Sequence, residues 1–118
     1  MIERLITSLD VLAAPVDVQL RRIAGDVGAV TSDEQQAAAA RDVALEFADA
    51  LLLVSDCPQV RLTGAQREVL DKLDAQLETM LRDGGVDVWR PAGLRGRVEW
   101  EITRRLATEA RLMLRAGT

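Results

Sequence analysis

The stretch TSDEQQAAAARDVALEFADALLLVSDCP, Thr31 to Pro58, decides the fold. It opens with two overlapping start signals. Thr31 with Glu34, and Ser32 with Gln35, both have the spacing at which an N-cap hydroxyl and a carboxylate or amide three residues later satisfy each other's backbone N–H groups. Turned at 100° per residue, Ala37, Ala40, Val43, Ala44, Phe47, Ala48, Ala50, Leu51 and Leu52 fill more than half of the helical circumference, as in a helix surrounded by neighbours. A long central helix is therefore predicted from Asp33 to Val54. The small side chains Ala37 to Ala40 and Ala44 let other helices approach it closely, and Cys57-Pro58 ends it.

Working outward, Ile2, Leu5, Ile6, Leu9 and Leu12 fall on one stripe of a first helix spanning residues 2–13. Pro15 cannot continue that ladder but can open a new helix, in which Val16, Leu20, Ile23 and Ala24 repeat the period up to about Gly25, with Gly28 in the following loop. On the other side, Thr63 and Gln66 form another capping-box pair. Ala65, Val69, Leu70, Leu73, Leu77, Met80 and Leu81 then give an apolar stripe over Gly64–Arg82, stopped by Asp83-Gly84-Gly85. A loop carrying Trp89, Pro91, Gly93 and Gly96 leads to a last helix from Arg97 to Ala116. Its apolar side holds Val98, Ile102, Leu106, Ala110 and Met113, with Trp100, Ala107 and Leu114 beside them. No alternating run exceeds about four residues, Gly85–Trp89 being the nearest, so no sheet is expected. Short connections favour antiparallel neighbours, and the expected fold is all-α: an up-and-down bundle of four to five helices forming one domain over residues 1–118.

Composition narrows the chemistry. The chain has 118 residues, 48% of them hydrophobic, which suffices for one core. It has no His and no Tyr, so the usual general base, the commonest zinc ligand and the phenol donor are missing. A single cysteine, Cys57, excludes an internal disulfide and any multi-cysteine metal centre. With Asp56 before it, its thiol is expected to be inert. Neither a cofactor nor a metal is expected. The 19 acidic residues outnumber the 15 basic ones, giving a formal net charge of -4, which opposes binding to nucleic acid and favours a basic protein partner. Residues 1–10 lack the pattern of a secretory signal, and the longest strongly apolar run, Ala50–Val54, is far too short for a membrane span, so a cytoplasmic location is expected.

The candidate site is a pair of acidic rows. Asp42, Glu46 and Asp49 stand at i, i+4 and i+7 on the polar side of the central helix, where like charges repel by a few tenths of a kcal/mol per pair. Leu53 continues the line. The next helix repeats the arrangement with Asp71, Asp74 and Glu78, relieved in part by Lys72 and Arg82. The plain alternative is a solvated face that happens to be acidic. A divalent-cation site lacks the glycine-rich loop that usually shapes one. Trp89 and Trp100 bracket Arg90, Arg95 and Arg97. Trp and Arg are favoured interface anchors, while in a chain this poor in aromatics each Trp can equally plug the core; Trp100 reads as core and Trp89 as a candidate anchor. Glu99 falls within the apolar arc of the last helix and is expected to cap its first turn or to pair with Arg95 or Arg105.

Three segments, ALEFADALL (Ala44–Leu52), LTGAQREVLDKLDAQLETM (Leu62–Met80) and VEWEITRRLATEARLML (Val98–Leu114), make up 45 of the 118 residues. Together they resemble the small acidic helical immunity proteins encoded beside bacterial polymorphic toxins. The likeness lies in helix composition and in a Trp-led last helix. It implies a protein that binds and blocks a cognate toxin domain in the cytoplasm. The partner-binding residues expected on this reading are Asp42, Glu46, Asp49, Asp71, Asp74 and Glu78 for steering, with Leu53 and Trp89 as anchors. One alternative is a self-associating structural or regulatory bundle, a homodimer joined through exposed Leu53, Leu112 or a spare face. Another is a small-molecule site, which would need an enclosed cavity holding Glu99 and Arg105.

Overall fold

The computed structural model describes residues 2–27 and 32–116, with the backbone alone at 24–27. The helices are α1 (Ile2–Ala13), α2 (Val16–Val27), α3 (Asp33–Asp56), α4 (Gly64–Asp83), α5 (Pro91–Gly96) and α6 (Val98–Ala116), with a 3-10 turn at Asp87–Trp89 before α5. The described residues contain no strand. The fold is an all-α up-and-down bundle.

Each helix starts and stops where local chemistry asks it to. At Ser32 and at Thr63 the side-chain hydroxyl accepts from the N–H of Gln35 and Gln66, and each glutamine side chain accepts from the cap N–H in return. Thr31, the cap of the other expected start pair, and the loop residue Gly28 lie outside the described residues. Pro15 does open α2, its carbonyl accepting from the Gln19 N–H at 2.8 Å, and the helix runs two residues past Gly25. Cys57, extended at φ -91° and ψ 113° as a residue before proline must be, closes α3. Gly85 takes φ 68° in the turn after α4, a conformation that a side chain would disfavour.

Leu5, Leu9, Leu12, Phe47, Leu70, Leu73 and Leu77 meet in one continuous core together with Trp89 and Trp100. Helices α1 and α4 pack most extensively on α6, and both also touch α3, so the four run in the ring order α1, α3, α4, α6. Gln66 Nε2 donates to the Met113 carbonyl at 3.2 Å and Gln76 Nε2 to the Glu99 carbonyl at 3.3 Å, which sets α4 antiparallel to α6. The α3–α4 contact is sparse by comparison, although these helices are consecutive and long. Helix α3, at 24 residues about 36 Å long, spans most of the 41 Å long dimension.

Three sequence expectations are corrected. The segment read as a loop before α6 folds into the 3-10 turn and α5, because Pro91 presets the first helical residue and Gly93 lets this short helix lie directly on the turn. In α6 the buried face is Trp100, Thr103, Ala107, Ala110 and Leu114; Val98 and Ile102 are exposed, since the tryptophan rotates the helix to reach the core. Leu52, placed in the buried arc of α3, is 62% exposed because α4 leaves that side uncovered.

The glycines of α5 provide a test. A Cβ on Gly93 would press into the backbone carbonyls of Asp87 and Val88, whereas one on Gly96 would meet nothing. Gly93→Ala is expected to destabilise by about 1–3 kcal/mol through overpacking. Gly96→Ala should be neutral or stabilise by up to about 1 kcal/mol through lost unfolded-state freedom. Thermal or urea denaturation of the two variants measures the difference.

Candidate acidic interaction face

Asp42, Glu46 and Asp49 are all exposed on the outer side of α3, and Leu53, 42% exposed, continues the line as expected. None of the ion pairs among the described residues includes Asp42, Glu46 or Asp49. The α4 row is different. Asp71 pairs with Arg67 at 3.2 Å and Glu78 with Arg82 at 3.6 Å, while Lys72 reaches Glu68 and not the acidic row. These pairs lie in solvent and contribute at most about 1 kcal/mol each, but they lower the local charge.

The two rows converge at one place. Asp49 of α3 and Asp71 and Asp74 of α4 line a depression of about 290 Å³ between the helices, together with Leu52, Ser55 and Arg67. A second depression of about 300 Å³ lies along the same groove, where Arg41 and Glu34 of α3 face Leu81 and Arg82 of α4. The C-terminal half of α3 thus faces the N-terminal half of α4, and the two helices run antiparallel. The groove is acidic at one end and carries two guanidinium groups at the other. Ser55 donates to the Leu51 carbonyl at 2.8 Å and accepts from Arg67. Its hydroxyl is occupied in shaping the acidic end.

Asp74 is the perturbed group. It is half-buried, and burial pushes its carboxyl above the usual range, with the Glu78 and Asp71 charges adding to the rise and Arg67 opposing it. Keeping this carboxylate ionised at neutral pH costs the folded state free energy.

Other candidates fall elsewhere. Trp89, expected as a surface anchor, is 1% exposed and belongs to the core: the 3-10 turn swings it inward against Trp100, ring centroids 5.6 Å apart and planes at 89°. Glu99 lies 4.0 Å from Arg97, not beside Arg95 or Arg105; Arg95 instead reaches Asp17 at 3.4 Å. Cys57 is a half-buried free thiol, and among the described residues no group of three or more His, Cys, Asp or Glu is placed to hold a metal ion. No helix among them is long and apolar enough to cross a membrane. The sequence reading missed Arg41, Leu52 and Arg67 as groove residues and Leu45 as an exposed one. For Leu45 the signal was present: it sits 60° from Asp42 on the polar side of α3 and is 47% exposed.

The Asp74 shift fixes the sign of a pH dependence. Its folded pKa lies above the unfolded value, so the folded state binds the proton more tightly; stability falls as pH rises from the ordinary carboxylate value through the raised one. Asp74→Asn is therefore expected to raise Tm at pH 7, and the gain should disappear below about pH 3.5, where the wild-type carboxyl is protonated in both states. Thermal melts of both proteins across that range check it; a variant less stable than wild type at pH 7 contradicts the burial argument. No family model, no curated protein and no solved structure matches this chain.

Proposed function

We propose that this chain is a non-catalytic protein-binding domain, an immunity-type inhibitor that neutralises a cognate bacterial toxin domain in the cytoplasm through its acidic α3–α4 face. The observation that carries this reading is the row Asp42, Glu46 and Asp49, exposed and in none of the ion pairs among the described residues, with Asp49 meeting Asp71 and the half-buried Asp74 across the groove. Repulsion along such a row is a cost to the isolated chain that a basic partner relieves. Leu53, beside the row, supplies apolar area to bury once the charges have oriented the encounter. Trp89 has no part in the contact.

The chemistry of the face favours binding over turnover. Its hydroxyl is engaged by Arg67, and its carboxylates stand beside exposed leucines on open helix surfaces. A surface of this kind steers a cationic macromolecule and then excludes water around a small apolar contact.

Affinity capture from the source cells tests the proposal. The wild-type chain is expected to recover a basic protein whose association rate falls about tenfold or more between low and physiological salt, since steering is screened within about 10 Å at 0.1 M. Reversal of Asp42 and Glu46 to lysine should abolish recovery without loss of helicity, because both side chains are exposed. Capture of no protein, or capture indifferent to that reversal, overturns the reading.

A further inference from the structure

Helix α3 carries a stripe that the acidic-face reading leaves unused. Leu45 is 47% and Leu52 62% exposed; Leu52 lines the groove, and the helical period sets Leu45 on the same side of the helix. Arg41 and Asp49 flank Leu45 at four residues on either side, both exposed and neither in an ion pair among the described residues. No residue three or four positions from Arg41 is acidic, and none so placed from Asp49 is basic, so helix α3 cannot pair them itself. Helix α4, in contrast, closes Arg67–Asp71, Glu68–Lys72 and Glu78–Arg82 at that spacing. Across the groove the charged groups of α4 nearest to them are largely engaged: Arg82, in the depression that Arg41 and Glu34 line, pairs with Glu78 and Asp83, and Asp71, in the one that Asp49 lines, pairs with Arg67.

We propose that this stripe is the seam of a two-fold homodimer in which α3 packs antiparallel on α3 of a second copy, crossing at Leu45, with Arg41 of each copy paired to Asp49 of the other. The register follows from the sequence. A two-fold axis at Leu45 sets position 41 opposite 49 and position 38 opposite 52. Cation then meets carboxylate about 6 Å from the crossing point, and Ala38 provides the space that Leu52 fills. Two helices 8–10 Å apart bring an arginine and an aspartate within ion-pair reach. The next symmetric pair, Glu34 opposite Asp56, is acidic on both sides. It lies about 16 Å from the crossing point, beyond a Debye length at physiological salt. A crossing near 50° carries those two groups further apart. The inverted placement of Arg41 and Asp49 about Leu45 makes the stripe complementary to itself, as an isologous contact requires.

The seam shares only Asp49 with the row assigned to toxin binding, so this proposal stands independently of that function. Sedimentation velocity over a wide concentration range tests it. The wild-type chain is expected to pass from monomer to dimer as concentration rises. Arg41→Asp alone and Asp49→Arg alone each create two symmetry-related like-charge contacts and should weaken dimerisation at least about tenfold. The double variant R41D/D49R restores both pairs with polarity reversed and should return to within about threefold of wild type, a rescue that a folding defect cannot mimic. A wild-type chain that stays monomeric throughout overturns the proposal. So do single variants that dimerise normally, a double variant that fails to recover, or a monomer whose stripe is occupied only by a lysine-rich helical peptide.

Discussion

Trp100 holds together the parts of the chain that local preference alone would leave apart. Its indole N–H donates to the Val88 carbonyl at 2.6 Å in the interior, and its ring takes the edge of Trp89. A carbonyl buried without such a donor costs about 1–3 kcal/mol, so the 3-10 turn and the first turn of α6 stay in register with one another. With α6 so placed, Thr103, Ala107, Ala110 and Leu114 line up against α1 and α4. These two helices take up most of the surface of α6, which leaves α3 to complete the ring. The open groove between α3 and α4 is what remains where that packing is thinnest.

A second buried device ties the N-terminal helices to this frame. Gln19 is 1% exposed, and its amide donates to the Leu12 carbonyl at 3.3 Å and, beside the Ala14 N–H, to the Val11 carbonyl at 3.2 Å, helping to satisfy the acceptors at the end of α1. Its oxygen accepts from Arg104 at 3.0 Å, and the same guanidinium nitrogen reaches the Leu94 carbonyl at 3.2 Å. Burial lowers the pKa of Arg104, with the Glu101 charge opposing, and the group stays charged under any physiological condition. One amide and one guanidinium thus join α1, α2, α5 and α6. Asp10 adds an outer contact from α1 to Arg111 and Arg115, at 3.5 and 3.3 Å.

Unlike these paired groups, the outer side of α3 is conspicuously unsatisfied. Its carboxylates and Arg41 are in none of the ion pairs among the described residues, and three leucines are exposed. On α4 the same spacing of charges is closed within the helix. Two adjacent stripes on α3 therefore have different uses: an acidic row suited to a cationic surface, and an inverted charge pair around Leu45 suited to a copy of itself. They meet at Asp49.

The sequence by itself determined the helices. Capping pairs at Ser32 and Thr63, the Cys57-Pro58 stop and apolar stripes of period 3.6 are local features, and they placed α1, α3, α4 and α6 and the exposure of Asp42, Glu46, Asp49 and Leu53 within a few residues of where they stand. Only the tertiary structure decided which faces meet. Trp89 turned from surface candidate to core, Leu52 from core candidate to surface, and Gln19 and Arg104 became interior partners 85 positions apart. Spacing along a chain reports which side chains share a helix face. It is silent on which neighbouring helix covers that face, and the depression uniting Asp49 with Asp71 and Asp74 exists only because α4 is drawn toward α6 and away from α3.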